Sequence, residues 1–488
     1  MGQFEAFCRG LARNRSIENL ELMHRAPYGD RGGREFELLT PFFVQRNLKR
    51  LHIGDDFFPD ASWNREGIQI FFKALSMFSS LTELVVNWIS DYDDSMAMSE
   101  AGLLKPLLGH ANLRTLNLHG NAIGTNGCIT LARLLESSSA LHTLCLGHVC
   151  IGVSGAAALA KGLERNSTLR VLDICHNENV TPTGWKAIFG ALKAPKCALE
   201  EMDLSSCGLH DGELIHLAES LDGTTVKSLN LSFNANITSP VWQIFFVHLR
   251  STESLEKLGL RDVDLSNDDA LALGAALSVN NSLREINLSS NRGICKLSGW
   301  QAIAVSLENP NTALQNLDLR WNTVNTDAAA TAFAQSLANN NTLRRLHIDG
   351  SSSITETGWN AFRRALCSNN ALERIYVEGH LPYDVAHILR ANEEASKSRA
   401  AGLLKTIISW PSGHMSTLLL NELGLRVIPY AIAWMGRDAM PRNGITLLYR
   451  FLQSMPAICC KTYVHAQSRR GRKRKRQLKI TQFIELEG

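Results

Sequence analysis

The sequence predicts an α/β solenoid, a curved stack of strand–helix units capped at its C-terminal end by helices. Two observations carry that prediction. The phrase Leu-x-x-Leu-x-Leu, with Ile, Val or Met replacing some Leu, recurs thirteen times at a spacing close to 29 residues. A fixed period in that range means stacked supersecondary units rather than one closed core. Between copies, apolar residues recur at helical spacing, so each unit pairs a strand with a helix.

The first repeat position falls at Ile17, Leu48, Leu81, Leu113, Leu141, Leu169, Leu199, Val226, Leu255, Leu283, Leu314, Leu343 and Leu372. From Leu113 onward the period is tight. The longer gaps before it predict loop insertions at Pro27–Arg34 and Asp91–Ser95. Alternation of apolar and polar residues at the end of each phrase is a strand signal. Gly155–Asn166 shows the helical half: Ala, Leu and Ala recur on one face, and Asn166 is expected to end the helix, as Asn or Gly often does. Helices are about 10 Å wide and strands only about 4.8 Å apart, so the stack curves with its strands on the concave side. Phe7–Ile17 aligns without gaps on Leu159–Leu169, so the chain opens inside a repeat: this bare helix is a minimal cap, or the natural chain extends upstream.

A two-unit rhythm overlies the single one. Trp185, Trp242, Trp300 and Trp359 lie 57, 58 and 59 residues apart, and three of them follow Gly. These tryptophans are expected to pack in the core from the convex helices. The position after the strand reads Asn121, Val149, Asn177, Cys207, Asn234, Val263, Asn291. Buried Asn can satisfy backbone groups at a turn, whereas Val and Cys cannot, so two turn types should alternate.

These residues resemble the ribonuclease-inhibitor class of leucine-rich repeats, found also in NLR immune receptors and the Ran GTPase-activating protein. The resemblance covers roughly residues 4–380. It implies a horseshoe whose partner engages the concave strands or adjacent loops. It does not choose among the unrelated partners such folds host.

Beyond residue 380 the period is lost. Domains are expected at 1–380 (solenoid), 381–460 (helical cap) and 461–488 (disordered basic tail). An F-box-like adaptor set is an alternative for the second. Residues 461–488 hold nine Lys/Arg against two Glu, while residues 1–460 hold 41 against 45 Asp/Glu. The body is mildly acidic and the tail strongly basic. Arg469, Arg470, Arg472, Lys473, Arg474, Lys475 and Arg476 resemble a monopartite nuclear localisation signal read by importin. They could also grip nucleic-acid phosphates. A nuclear or nucleo-cytoplasmic location is expected, with no membrane span. The eleven cysteines lack framework spacing and read as buried packers in a reducing compartment.

The motif inventory points away from catalysis. Gly-x-x-x-x-Gly-Lys-Ser/Thr, Gly-x-Ser-x-Gly and His-Glu-x-x-His do not occur, and no cofactor is implied. His119, His148 and His176 follow consecutive strands but differ in register, so no metal site is expected from them. Residues beyond the second and third Leu of each strand face the concave side. Among them Trp88, His148, Phe233, Arg261, Arg320, Trp321 and Tyr376 are the candidate partner contacts, because aromatic residues and Arg anchor interfaces. The expected function is a non-enzymatic protein-binding scaffold; a nucleic-acid-associated factor, a GTPase regulator and a ubiquitin-ligase adaptor are the alternatives. The Ran activator family has an acidic tail, which this chain replaces with a basic one.

Overall fold

The computed structural model describes residues 10, 17–22, 48–53, 65–76, 80–87, 102–322, 326–348, 354–377 and 381–409, the side chains of 65–68 and 400–409 excepted. Thirteen strands form one sheet in sequence order. They are β1 (Asn19–Leu22), β2 (Arg50–Ile53), β3 (Glu83–Val86), β4 (Thr115–Asn117), β5 (Thr143–Cys145), β6 (Val171–Asp173) and β7 (Glu201–Asp203). Then follow β8 (Ser228–Asn230), β9 (Lys257–Gly259), β10 (Glu285–Asn287), β11 (Asn316–Asp318), β12 (Arg345–His347) and β13 (Arg374–Tyr376). Every pairing is parallel, and equivalent repeat positions align, as in Asn287 with Gly259 and Asp318. Among the described residues, α-helices return the chain between strands from β2 to β3 and from β4 onward, the usual crossover between parallel neighbours. The result is the leucine-rich-repeat horseshoe that the period predicts.

The consensus leucines are buried from Leu48 to Leu372 in one continuous apolar core. Trp185, Trp242, Trp300 and Trp359 are buried in it, as expected. The glycine before three of them has a steric reason. A Cβ on Gly184 would strike Ala156, one on Gly299 would strike Asn267 and one on Gly358 would strike Asp327, each on the preceding helix, so glycine permits the close helix spacing.

The two turn types are present. In every unit from Leu118 to Leu319, the second residue after the third Leu is left-handed: Gly120, His148, His176, Ser206, Phe233, Asp262, Ser290 and Trp321. Its amide donates to the next strand, for example His148 to the Cys175 carbonyl at 2.9 Å. Units with Val or Cys at the ladder position add a second left-handed residue, at Cys150, Gly208 and Asp264. Asn units do not. The Asn side chain instead completes the turn of the unit before it. Asn234 Oδ1 accepts from the amides of Cys207 and Leu209, both at 3.1 Å. Its Nδ2 donates to Leu204 and Leu231 carbonyls at 2.9 and 2.8 Å. Asn177 and Asn291 repeat the arrangement on Val149–Ile151 and Val263–Leu265. At Asn322 the rhythm lapses, because Asn follows Asn.

A second Asn ladder runs along the helix ends. Asn166 ends its helix, as expected, in an extended conformation with φ and ψ of −89° and 133°. Its side chain reaches the Leu135 carbonyl of the preceding helix at 2.7 Å and accepts from Leu169 N at 2.7 Å. Asn280, Asn340 and Asn369 do the same.

One helix, Tyr383–Ser409, follows the last strand. Val385 and Leu389 join the solenoid core. The chain divides into Met1–Arg390 and Ala391–Gly488, and the second unit is described only as helix up to Ser409. The rest of the expected cap, the basic tail, both loop insertions and most of the opening helix lie outside the described residues. Among the described residues, no helix is long and apolar enough to cross a membrane.

Asn234→Ala strips this partner from four backbone groups, each costing about 1–3 kcal/mol when left buried and unpaired. Because its acceptor oxygen serves the unit before it, hydrogen exchange at the Cys207 and Leu209 amides should accelerate most. Protection lost only around residue 234 would show that the pairing of units is not energetic.

Candidate functional site

The sheet face is built from the last strand residue of each unit and the two residues after the third Leu. Asn or Asp recurs at the last strand position, and its carboxyl or amide oxygen accepts the main-chain N–H two residues on. The bonds are Asn117 to His119 (2.9 Å), Asp173 to Cys175 (3.0 Å), Asp203 to Ser205 (2.8 Å) and Asn287 to Ser289 (2.9 Å). Asn230 and Asp318 bind Ser232 N and Arg320 N in the same way. That N–H has turned out of the sheet ladder, so the side chain supplies the missing acceptor. These polar residues brace turns; a strand-alternation pattern alone reads them as free surface.

Four of the candidate contacts come together. The Arg261 guanidinium lies 4.3 Å from the centre of the Trp321 ring and 5.4 Å from that of Phe233. Arg320 approaches the same Trp321 at 5.4 Å. Asp318 holds Arg320 from below, with Nε–Oδ1 at 3.0 Å and Nη2–Oδ2 at 2.6 Å. To meet Trp321 after β11, Arg261 after β9 must span two strand spacings, roughly 9.6 Å. The unit between carries Ser289 and Ser290 at the matching positions, small enough to leave the span open. Phe233 and Trp321 remain 45% and 42% exposed despite these contacts.

The other candidates are placed apart from this cluster. His148 sits between His119 and His176, its ring centre 6.4 and 5.6 Å from theirs. Tyr376 stacks on His347 with ring centres 4.2 Å apart, and Arg374 donates to its hydroxyl at 3.1 Å. His347 has no counterpart in the sequence reading, since one isolated histidine carries no pattern. Trp88 and residues 469–476 lie outside the described residues.

Among cysteines, Cys128 and Cys207 are buried packers whose thiols burial pushes up to about 12. Burial also raises Cys175, with Asp173 adding to the effect. Cys295 and Cys367 are exposed, contrary to the expectation of buried thiols, because they sit on a loop and just past a helix end.

A Leucine Rich repeat family model matches residues 109–132 and 165–189. Ribonuclease inhibitor of Sus scrofa is 31% identical over 246 residues, 49% of this chain and 46% of that protein. The chain is similar to ribonuclease-inhibitor-type leucine-rich-repeat proteins. This repeat protein is also similar to the NACHT, LRR and PYD domains-containing protein 5 of Mus musculus, 31% identical over 230 residues. That match covers 47% of this chain and 20% of the relative. The leucine-rich-repeat protein thus spans between a fifth and a half of these relatives' length. A solved chain from the yeast Rad7 and Elc1 complex overlaps 73% of it and 85% of its own length, at 19% identity and a TM-score of 0.37. That overlap is too loose to inform function.

Burial holds His347 below the usual histidine range, with Arg320 and Arg345 opposing the charged form and Asp318 favouring it. The unfolded chain therefore binds the proton more readily. The stabilisation is whole above the ordinary value of 6.5 and is lost as pH falls below it. His347→Gln should flatten that part of the stability–pH curve; an unchanged slope would remove His347 as its source.

Proposed function

We propose that this repeat protein is a non-enzymatic scaffold that binds a protein partner on its sheet face, anchored at Phe233, Arg261, Arg320 and Trp321. The observation that supports this most is conformational. One left-handed position recurs in every unit from Leu118 to Leu319; Gly120, Ser206, Asp262 and Ser290 fill it with little bulk, and His148 and His176 with imidazoles. Phe233 and Trp321 put large rings there, at φ of 62° and 59°. For a bulky residue that backbone costs about 1–2 kcal/mol, and the fold requires only a turn. Strain kept where a smaller residue would serve fits a binding site.

The chemistry of the cluster fits a partner with acidic and apolar side chains. Arg261 makes no ion pair among the described residues, and its Nε is buried without a hydrogen-bond partner. Two aromatic faces hold the cation in place and leave its charge uncompensated. Leucine-rich-repeat proteins generally mediate protein–protein interaction, which agrees with this reading. The run Arg469–Arg476 supports a nuclear or nucleo-cytoplasmic location through importin.

Affinity capture from cells with the wild type, Arg261→Ala and Trp321→Gly tests the anchor. Truncating an anchor residue costs roughly 2 kcal/mol or more, about 30-fold in affinity. Trp321→Gly should lose capture while its thermal unfolding midpoint stays level or rises, since the strain is relieved. Undiminished capture by both variants would refute the site.

Removing residues 461–488 should shift a fluorescent fusion out of the nucleus. If it instead leaves location intact and abolishes salt-sensitive nucleic-acid binding, the tail serves phosphates rather than importin.

A further inference from the structure

We infer that His119, Asp173 and Cys175 form a site on the sheet face for a soft divalent cation of the zinc class. One donor atom from each residue lies within 4.8 Å of the other two. The three residues come from units two apart. His119 follows β4, whereas Asp173 ends β6 and Cys175 lies just beyond it. Two strand spacings, roughly 9.6 Å, would ordinarily keep such side chains from meeting.

Gly147, in the intervening unit, is what allows the approach. A Cβ on Gly147 would collide with His119 Nδ1 and lie 2.6 Å from Cys175 Sγ. Both side chains therefore lean over the glycine from opposite sides. Gly147 is not among the left-handed residues, so the backbone does not ask for glycine there. What it supplies is room, and that room is filled by an imidazole nitrogen and a sulfur.

The donor set is one nitrogen, one sulfur and one carboxylate oxygen, which suits zinc better than calcium or magnesium. Asp173 is already oriented, since its Oδ1 accepts from Cys175 N at 3.0 Å. Cys175 is buried, and His119 and Asp173 are half-buried. A fourth ligand position would open toward the sheet face, to water or to a partner's donor. Tetrahedral bonds of roughly 2.0–2.3 Å need donors roughly 3.3–3.8 Å apart, so binding draws the three inward by no more than roughly 1.5 Å. The cation takes the place of the thiol proton, which leaves to solvent. His148 and His176 lie one residue further along their units, in the left-handed position, and are not part of this set.

Cobalt(II) is the probe, titrated into the reduced full chain. One equivalent should give thiolate-to-cobalt charge-transfer absorption, and zinc should displace it. Cys175→Ser should abolish the band. His119→Ala and Gly147→Ala should weaken binding beyond the roughly 10–100-fold that losing a ligand's supporting hydrogen bond costs. Gly147→Ala is the diagnostic variant, because it keeps every donor and only fills the space. No thiolate band in the wild type overturns the site whatever the variants do. So does a band that survives Cys175→Ser, or wild-type affinity in both His119→Ala and Gly147→Ala.

Discussion

The structure depends on lateral satisfaction of buried backbone groups. A Val or Cys unit of this solenoid cannot pair all of its own turn amides, and helix-end carbonyls such as that of Leu135 are reached from the next unit. Asn234 closes the turn at Cys207–Leu209, and Asn166 reaches back to the Leu135 carbonyl. Apolar burial supplies the driving force for stacking, but it is not directional. The two Asn ladders supply direction: they fix which unit lies next to which and at what register. Stability in such a stack is carried by the interfaces between neighbours.

With the frame satisfied from within, the sheet face becomes free to carry other chemistry. Both groupings found there use the same device. A small residue in a middle unit lets side chains from its two flanks meet above it. Gly147 brings His119 to Cys175, and the Ser289–Ser290 unit lets Arg261 reach Trp321. The strand spacing is fixed by hydrogen bonding, so contact across two strands must be created by what is missing between them.

That device explains what could be read in advance. The period, the thirteen strands, the buried tryptophans and the alternating turns all repeat, and repetition is visible in one sequence. The candidates Phe233, Arg261, Arg320 and Trp321 were legible singly, as aromatic residues and arginines at outward positions. Their convergence was not, because it rests on serines that look unremarkable alone. Strand alternation places Asp173 and Asp318 at the surface, whereas their oxygens hold turn amides; the brace needs the dihedral angles, which the letters do not give. Register separates His119 from His148 and His176. It could not reveal that one of them leans across a glycine toward a thiol.

The Asn ladder also sets the increment by which this chain can grow or shrink. An Asn unit finishes the turn of the Val or Cys unit before it, so the self-sufficient module is a pair of about 57 residues, not a single repeat. Losing one unit would set two Asn turns, or two unfinished ones, side by side; losing a pair would leave every join as it was. Asn322, following Asn291, is where this accounting has already slipped by one. The aromatic–arginine cluster lies beside that join, in the stretch where pairing of units no longer constrains which residue comes next.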